Sequence, residues 1–196
     1  MSFKDLVLEY KEKSDPTRSI FKETDEYFLK NNFKNNQSFL TQPINPISGE
    51  IYYFNYSTDS KISKERKFID RFPVVLCTDF FLKDSVSIIK GIDLVTVPPK
   101  YRMEILSRIY DNFAKDIENN STSTAKTPLN LKDDILDKLL ANTGYKYSVF
   151  GFKSNFIKNI GIIKPKDWAK LPYLTINVLE GLRIQGIYNE YESKLK

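Results

Sequence analysis

The fold is decided between residues 49 and 99, where the sequence reads Gly49-Glu-Ile-Tyr-Tyr-Phe-Asn-Tyr56, then Ile69-Asp-Arg-Phe-Pro-Val-Val-Leu76, then Gly91-Ile-Asp-Leu-Val-Thr-Val-Pro-Pro99. Aromatic and β-branched residues suit a pleated, half-buried surface, and Gly and Pro stand near the ends of these runs. The three runs predict strands of one small antiparallel sheet, with a bulge or bend at Gly91. Several short strands with such a bend indicate a small SH3-like barrel.

The residues that follow the sheet predict helices. Pro98 and Pro99 favour a helix start. Apolar residues then recur at helical spacing at Met103, Leu106, Ile109, Tyr110, Phe113 and Ile117. A second helix is predicted over residues 128–140, a closing strand over 160–163, and a turn over 164–168 that buries the only tryptophan. The fold class is therefore α+β, an antiparallel barrel or sheet with inserted helices.

Three parts are predicted along the chain: an N-terminal helix and extended arm at residues 1–48, an α+β core domain at 49–175, and a C-terminal helix and tail at 176–196. Residues 3–13 have the apolar spacing of an amphipathic helix. Residues 17–48 contain Pro43 and Pro46 and are predicted to hold no regular element. The C-terminal helix is predicted from the spacing of Val178, Leu179, Leu182, Ile187 and Tyr188.

The arm carries aromatic residues that are costly to leave in water, among them Phe21, Phe28, Phe33 and Phe39. We expect these four side chains to bind a neighbouring subunit. The alternative is that the arm packs on its own sheet. Deleting the arm would separate the two interpretations.

Composition limits the chemistry. The 196 residues include no histidine and one cysteine, so the usual general base and the commonest zinc ligand are both absent. Cys77 lies in an apolar strand and is interpreted as a buried hydrophobe. Sequence motifs for phosphate loops, nucleophiles and metals are missing. We therefore expect no catalysis, no cofactor, no metal and no small-molecule substrate. A carboxylate nuclease, built from Asp93, Asp133 and Asp134, stays open as a third interpretation.

Apolar runs are short as well. None approaches the roughly 20 residues that cross a bilayer, so no membrane partner is expected.

Basic residues exceed acidic ones by 30 to 25, a net charge of +5. Two groups could contact duplex DNA: Lys61, Lys64, Arg66 and Lys67 in a polar loop, and Lys146, Lys153 and Lys158 among aromatic residues. The alternative for both groups is an ordinary solvated surface.

Four sequence blocks carry a family resemblance. They are Gly49-x-Ile-Tyr-x-Phe-x-Tyr56, Asp70-x-Phe-Pro73, Gly91-Ile-x-Leu94 with Pro98-x-x-x-Arg102, and Phe156-Ile157 leading to Pro165-x-Asp-Trp168. In this order the blocks resemble a family of virion proteins from T4-like contractile-tailed phages, labelled DNA end protector or head-completion protein.

The resemblance implies a non-enzymatic structural subunit of a tailed-phage virion, at the tail baseplate or the head–tail junction. The alternative that it implies is a DNA-end-binding protector or head-completion protein. Expected partners are other phage virion proteins and duplex DNA ends, in a virion assembled in the host cytoplasm.

Overall fold

The computed structural model describes residues 2–31, 45–57, 69–120, 148–175, 179–180, 189 and 193. Its α-helices are α1 (Phe3–Lys13), α2 (Ile20–Asn31) and α3 (Pro99–Asn120). Its strands are β1 (Ile51–Tyr56), β2 (Ile69–Asp70), β3 (Val74–Lys83), β4 (Val86–Asp93), β5 (Val149–Lys153), β6 (Ile157–Ile163) and β7 (Leu179–Glu180). Short 3₁₀ helices cover Leu94–Thr96, Ser154–Phe156 and Pro165–Tyr173. The α+β class is therefore confirmed.

Five strands form one antiparallel sheet in the order β5-β4-β3-β1-β6, and β2 pairs with β7 in a separate ladder. The two edge strands of the large sheet are consecutive in the chain and are joined only by the 3₁₀ helix Ser154–Phe156. No ladder joins β5 to β6 within the described strands, so the sheet is open and an SH3-like barrel is not confirmed. The three-residue connection nevertheless requires the two edges to curl toward each other at one end.

The inner face of this curled sheet is an aromatic core. Phe152 of β5 packs edge to face on Phe54 and on Tyr56 of β1, with ring centroids 5.2 Å apart in both pairs. Two strands separate β5 from β1 in the sheet order, and flat strands would place them about 14 Å apart. The sheet therefore wraps around its own side chains. The remaining buried members of this core are Tyr52, Val75, Cys77, Ile89, Ile157 and Ile160.

The outer face packs against the helices. Ile51, Val74 and Leu76 of the sheet share a buried cluster with Ile105 of α3 and Trp168. The indole Nε1–H of Trp168 donates to the carbonyl oxygen of Ile163 at 2.9 Å, so burial leaves this polar group bonded. The predicted burial of the tryptophan and the helix after Pro98 are both confirmed.

The prediction that residues 17–48 hold no regular element is wrong, because residues 20–31 form α2. Its inward positions, Ile20, Thr24, Tyr27 and Phe28, recur at helical spacing, and both prolines lie beyond its end. Hydrogen bonds anchor the helix to the rest of the chain. The Tyr27 hydroxyl donates to Asp167 at 2.9 Å, and the Thr175 hydroxyl donates to Asp25 at 2.6 Å.

Three further boundaries differ from prediction. The strand predicted over residues 69–76 is interrupted at Arg71-Phe-Pro73, which separates β2 from β3. The strand predicted from Gly91 ends at Asp93, whose side chain accepts from the Val95 N–H at 3.2 Å and caps a 3₁₀ helix. Leu179 lies in a strand rather than a helix, because it pairs with Asp70.

The remaining predictions concern a strand, a bulge, and residues outside the described ranges. The closing strand is confirmed as part of β6. A bulge occurs beside Gly91, but the extra residue lies on the paired strand β3, where the register shifts between Cys77 and Asp79. The predicted helix at 128–140 lies outside the described residues, and the three-part division of the chain stays a prediction.

Candidate nucleic-acid interface

Two of the seven basic residues predicted to contact DNA lie within the described chain. Lys153 ends β5 and Lys158 lies in β6, and both side chains are exposed. They flank the 3₁₀ helix Ser154–Phe156, so a path of five residues limits their Cα separation to about 17 Å. The other five predicted residues lie outside the described residues: Lys61, Lys64, Arg66, Lys67 and Lys146.

Lys153 belongs to a surface that the sequence did not indicate. Ile88 of β4 stands directly between Phe81 of β3 and Lys153 of β5. Because alternate residues of a strand share a face, Lys90 and Lys83 project on the same side as these three. We call this surface the hairpin face. Its members are Lys83, Lys90, Lys153, Phe81 and Ile88.

The hairpin face is positively charged. Its three lysines are exposed, and no ion pair joins them to a carboxylate of the described ranges. Asp79 stands opposite Lys90 in the register, and its Oδ1 accepts the Phe80 N–H at 2.9 Å. Among the described strand residues, the face therefore carries three positive charges against one negative charge, and the exposed Asp84 of the turn stands next to Lys83. Unpaired ammonium groups on a surface can replace the counterions that surround DNA phosphates.

Apolar side chains are exposed where the hairpin ends. Phe81 is 37% exposed on the hairpin face, and Leu82 is 70% exposed on the opposite face. The strands reverse at Asp84 and Ser85, which have φ of 49° and 63°. Positive φ at both central residues is characteristic of a two-residue type I′ turn, which matches the twist of the strands. The end of the hairpin is therefore narrow.

Comparison with known protein families gives a match over most of the chain. The sequence profile described as phage T4 terminal DNA protecting protein matches residues 4–185. This chain belongs to that family. No curated protein and no solved structure matches it.

The family match agrees with the resemblance seen in the sequence. Of the two functional interpretations, the description of the terminal DNA protecting family favours the DNA-end protector over a tail baseplate subunit.

In this member of the terminal DNA protecting family, two residues considered for catalysis are buried inside the fold, and two lie outside the described ranges. Asp93 is buried and caps a 3₁₀ helix. Cys77 is buried within β3, and this burial raises the pKa of its thiol to about 12. Asp133 and Asp134 lie outside the described residues. No cluster of three or more His, Cys, Asp or Glu that could hold a metal occurs within the described part of the chain.

The arm aromatics are divided by the structure. Phe28 is fully buried in the chain's own core, which removes it from the surface available to a partner. Phe21 is 38% exposed, and its ring lies 5.8 Å from that of Tyr173. Phe33 and Phe39 lie outside the described residues. A partner contact at Phe21 stays a prediction.

Arg102 is an important residue whose role the sequence did not indicate. It is fully buried, and its guanidinium donates to the carbonyl oxygens of Val97, at 2.9 and 3.1 Å, and Leu171, at 2.9 Å, and also to that of Leu174. These bonds attach the start of α3 to the 3₁₀ helix Pro165–Tyr173. The only sequence signal was its place in the block Pro98-x-x-x-Arg102.

Among the described helices, none has the length and apolar character needed to span a bilayer.

Proposed function

We propose that this protein binds the ends of linear duplex DNA and shields them, and that it does so without catalysing a reaction. The observation that carries the proposal is the family match over residues 4–185, whose description names terminal DNA protection. The hairpin face supports it, because this surface offers unpaired positive charge to phosphate.

Charge supplies the physical basis of binding. A protein that neutralises Z phosphates releases their counterions, so the logarithm of the binding constant falls with the logarithm of salt concentration with slope near −0.9Z. If Lys83, Lys90 and Lys153 each contact one phosphate, they contribute about 2.7 to the magnitude of that slope. The predicted contacts of Lys61, Lys64, Arg66, Lys67, Lys146 and Lys158 would add to it.

The experiment is exonuclease protection of a linear duplex by the purified protein, together with the salt dependence of binding. Wild type is expected to slow digestion from the ends. The triple variant Lys83→Ala, Lys90→Ala, Lys153→Ala is expected to protect less and to lose about 3 from the magnitude of the salt slope. The matched control replaces Lys4, Lys11 and Lys22 by Ala, which removes the same charge from exposed positions of α1 and α2.

The control variant should protect DNA as well as wild type does. If wild type gives no protection and no retention of linear duplex even at low salt, the proposal fails. If the triple variant and the control variant weaken binding equally, the hairpin face is not the contact surface.

The second candidate is a structural subunit of the phage particle at the head–tail junction or the tail baseplate, assembled in the host cytoplasm. Leu8 and Leu29, which are 57% and 43% exposed on α1 and α2, support it together with Phe21. Covering such side chains with a protein partner removes apolar area from water, which favours association. Mass spectrometry of purified virions tests this candidate, and absence of the protein from mature particles would reject it.

A further inference from the structure

The β3–β4 hairpin extends beyond the part of the sheet that other strands support. β5 pairs with β4 only between Ile88 and Ile92, whereas β3 and β4 remain paired as far as Lys83 and Val86. Side chains of β3 are buried through Thr78, half-buried at Asp79 and Phe80, and exposed from Phe81 to Lys83. The last residues of the hairpin therefore form a two-stranded tip that is open to solvent.

Apolar groups stand on both faces at the base of this tip. Phe81 projects on the hairpin face and Leu82 on the opposite face, and Leu82 is 70% exposed. The turn itself carries the polar residues Lys83, Asp84 and Ser85, and Phe81 and Leu82 directly before it leave apolar surface that an apolar partner would remove from water.

Lysines lie on each side of the apolar residues along the hairpin, with Lys83 next to the turn. Lys83 follows Leu82 in sequence, while Lys90 and Lys153 share the hairpin face with Phe81. At about 3.3 Å per residue, Lys90 stands roughly 7 Å behind the row formed by Phe81 and Ile88. The hairpin thus ends in Lys83, Asp84 and Ser85, with exposed apolar side chains directly behind this turn and two further cations beside and behind them.

The end of a duplex offers apolar surface next to phosphates without any base step having to be unstacked. Base pairs within a duplex are covered on both faces by their neighbours, but the terminal pair has one uncovered aromatic face with phosphates just behind it. We propose that the tip places Phe81 or Leu82 against this terminal base pair while Lys83, Lys90 and Lys153 bind the adjacent phosphates. The proposal rests on the proposed function and supplies what it lacks, a reason for preferring ends to internal duplex.

The test compares an open blunt-ended duplex with a closed duplex of the same sequence whose two ends are capped by loops, so that no terminal base pair is uncovered. Affinity is measured by fluorescence anisotropy at fixed salt. Stacking of an apolar side chain on a base is expected to give wild type about tenfold preference for the open duplex. Leu82→Ser combined with Phe81→Ser should reduce this preference to less than about twofold while retaining the affinity for closed duplex, because the lysines remain.

Two further variants are the matched controls. Leu8→Ser changes a comparably exposed leucine on α1 and should keep the tenfold preference. Leu82→Phe keeps apolar area at the tip and should also retain the tenfold preference for the open duplex. Circular dichroism checks that each variant is folded. A reporter base at the terminal position, 2-aminopurine, should change its fluorescence with wild type and not with the double variant.

The outcomes separate the two proposals. If wild type binds neither duplex, the proposed function fails and this inference fails with it. If wild type protects ends but the double variant retains the full preference for open duplex, the tip proposal alone is overturned. Equal loss of affinity for open and closed duplex also overturns it, because the tip would then support binding in general rather than recognition of an end.

Discussion

The rings of Tyr56 and Phe152 lie 5.2 Å apart, edge to face, although two strands separate β1 from β5 in the sheet. The two rings can touch only because the sheet is strongly curled. The curl buries the inner aromatic core and brings both edge strands to the short 3₁₀ helix that carries Lys153 and Ile157 at its two ends. The placement of the exposed lysines on the edge strands therefore depends on packing inside the sheet.

Replacing Phe152 by Ala should destabilise the protein by about 3–5 kcal/mol, because the substitution removes a fully packed ring and leaves a cavity in the inner core. Urea denaturation measures the change in the free energy of unfolding. Phe81→Ala is the control, since Phe81 is 37% exposed and should cost less than about 1 kcal/mol. Similar losses for the two variants would contradict the curled sheet described above.

Gly91→Ala should destabilise strongly, because a Cβ at this position would lie 2.3 Å from the carbonyl oxygen of Leu76 and 2.4 Å from Cγ1 of Val75. The backbone of β3 cannot move aside as a side chain can, so we expect the free energy of unfolding to fall by at least about 2 kcal/mol. The control is Gly151→Ala, whose Cβ would meet only Cγ2 of Ile88, at 3.3 Å. Thermal unfolding should separate the two variants clearly, and equal midpoints would argue against the described β3–β4 register.

Arg102→Lys should lower the free energy of unfolding by about 2–3 kcal/mol. A lysine keeps the charge, but it cannot reproduce the forked hydrogen bonds of the guanidinium to several carbonyl oxygens. The matched substitution Arg108→Lys alters an exposed pair with Glu104 and should cost less than about 0.5 kcal/mol. Chemical denaturation checks both. If Arg102→Lys leaves the free energy of unfolding unchanged, the attachment of α3 to the 3₁₀ helix Pro165–Tyr173 is not needed for stability.

Phe28→Ala should lower the free energy of unfolding by about 3–5 kcal/mol, since the ring is fully buried in the chain's own core. Phe21→Ala, at an exposed position of the same helix, should cost less than about 1 kcal/mol. Assembly into virions is the second measurement. If Phe21→Ala is stable but fails to assemble, Phe21 binds a partner as predicted from the sequence; normal assembly would remove it from the contact.

Stability should fall in alkaline solution, partly through Cys77. Burial raises the pKa of its thiol from 9.0 to about 12 in the folded protein, so the folded state retains a proton that the unfolded state loses. The resulting stabilisation is complete below pH 9 and disappears as the pH rises through about 12. Denaturation at several values between pH 8 and pH 12 should give a shallower decline for Cys77→Ala than for wild type. Parallel declines would contradict the assigned pKa.

Local signals in the sequence were sufficient for much of the fold. Alternating aromatic and β-branched residues predicted β1 and the start of β3, and Pro98 with Pro99 predicted the start of α3, because strand and helix periodicities are properties of neighbouring residues. Trp168 and Cys77 were predicted to be buried and are buried. The four ordered blocks were sufficient for the family.

Helix α2 was missed although its spacing was present, because the prolines and polar residues farther along the arm dominated the interpretation. The strand pairing of Leu179 with Asp70 had no local signal at all, since more than a hundred residues separate the partners. Pairings between distant segments depend on the packing of the whole chain.

The sequence by itself determined the α+β class, the main strands, the absence of histidine chemistry and the membership in the terminal DNA protecting family. Only the tertiary structure decided which basic residues share a surface. Lys83, Lys90 and Lys153 are brought together by strand register, and Arg102 is buried rather than exposed by the approach of the 3₁₀ helix to α3. The sequence gives the charge of each side chain. Whether that side chain is exposed, and which residues surround it, depends on packing between distant segments.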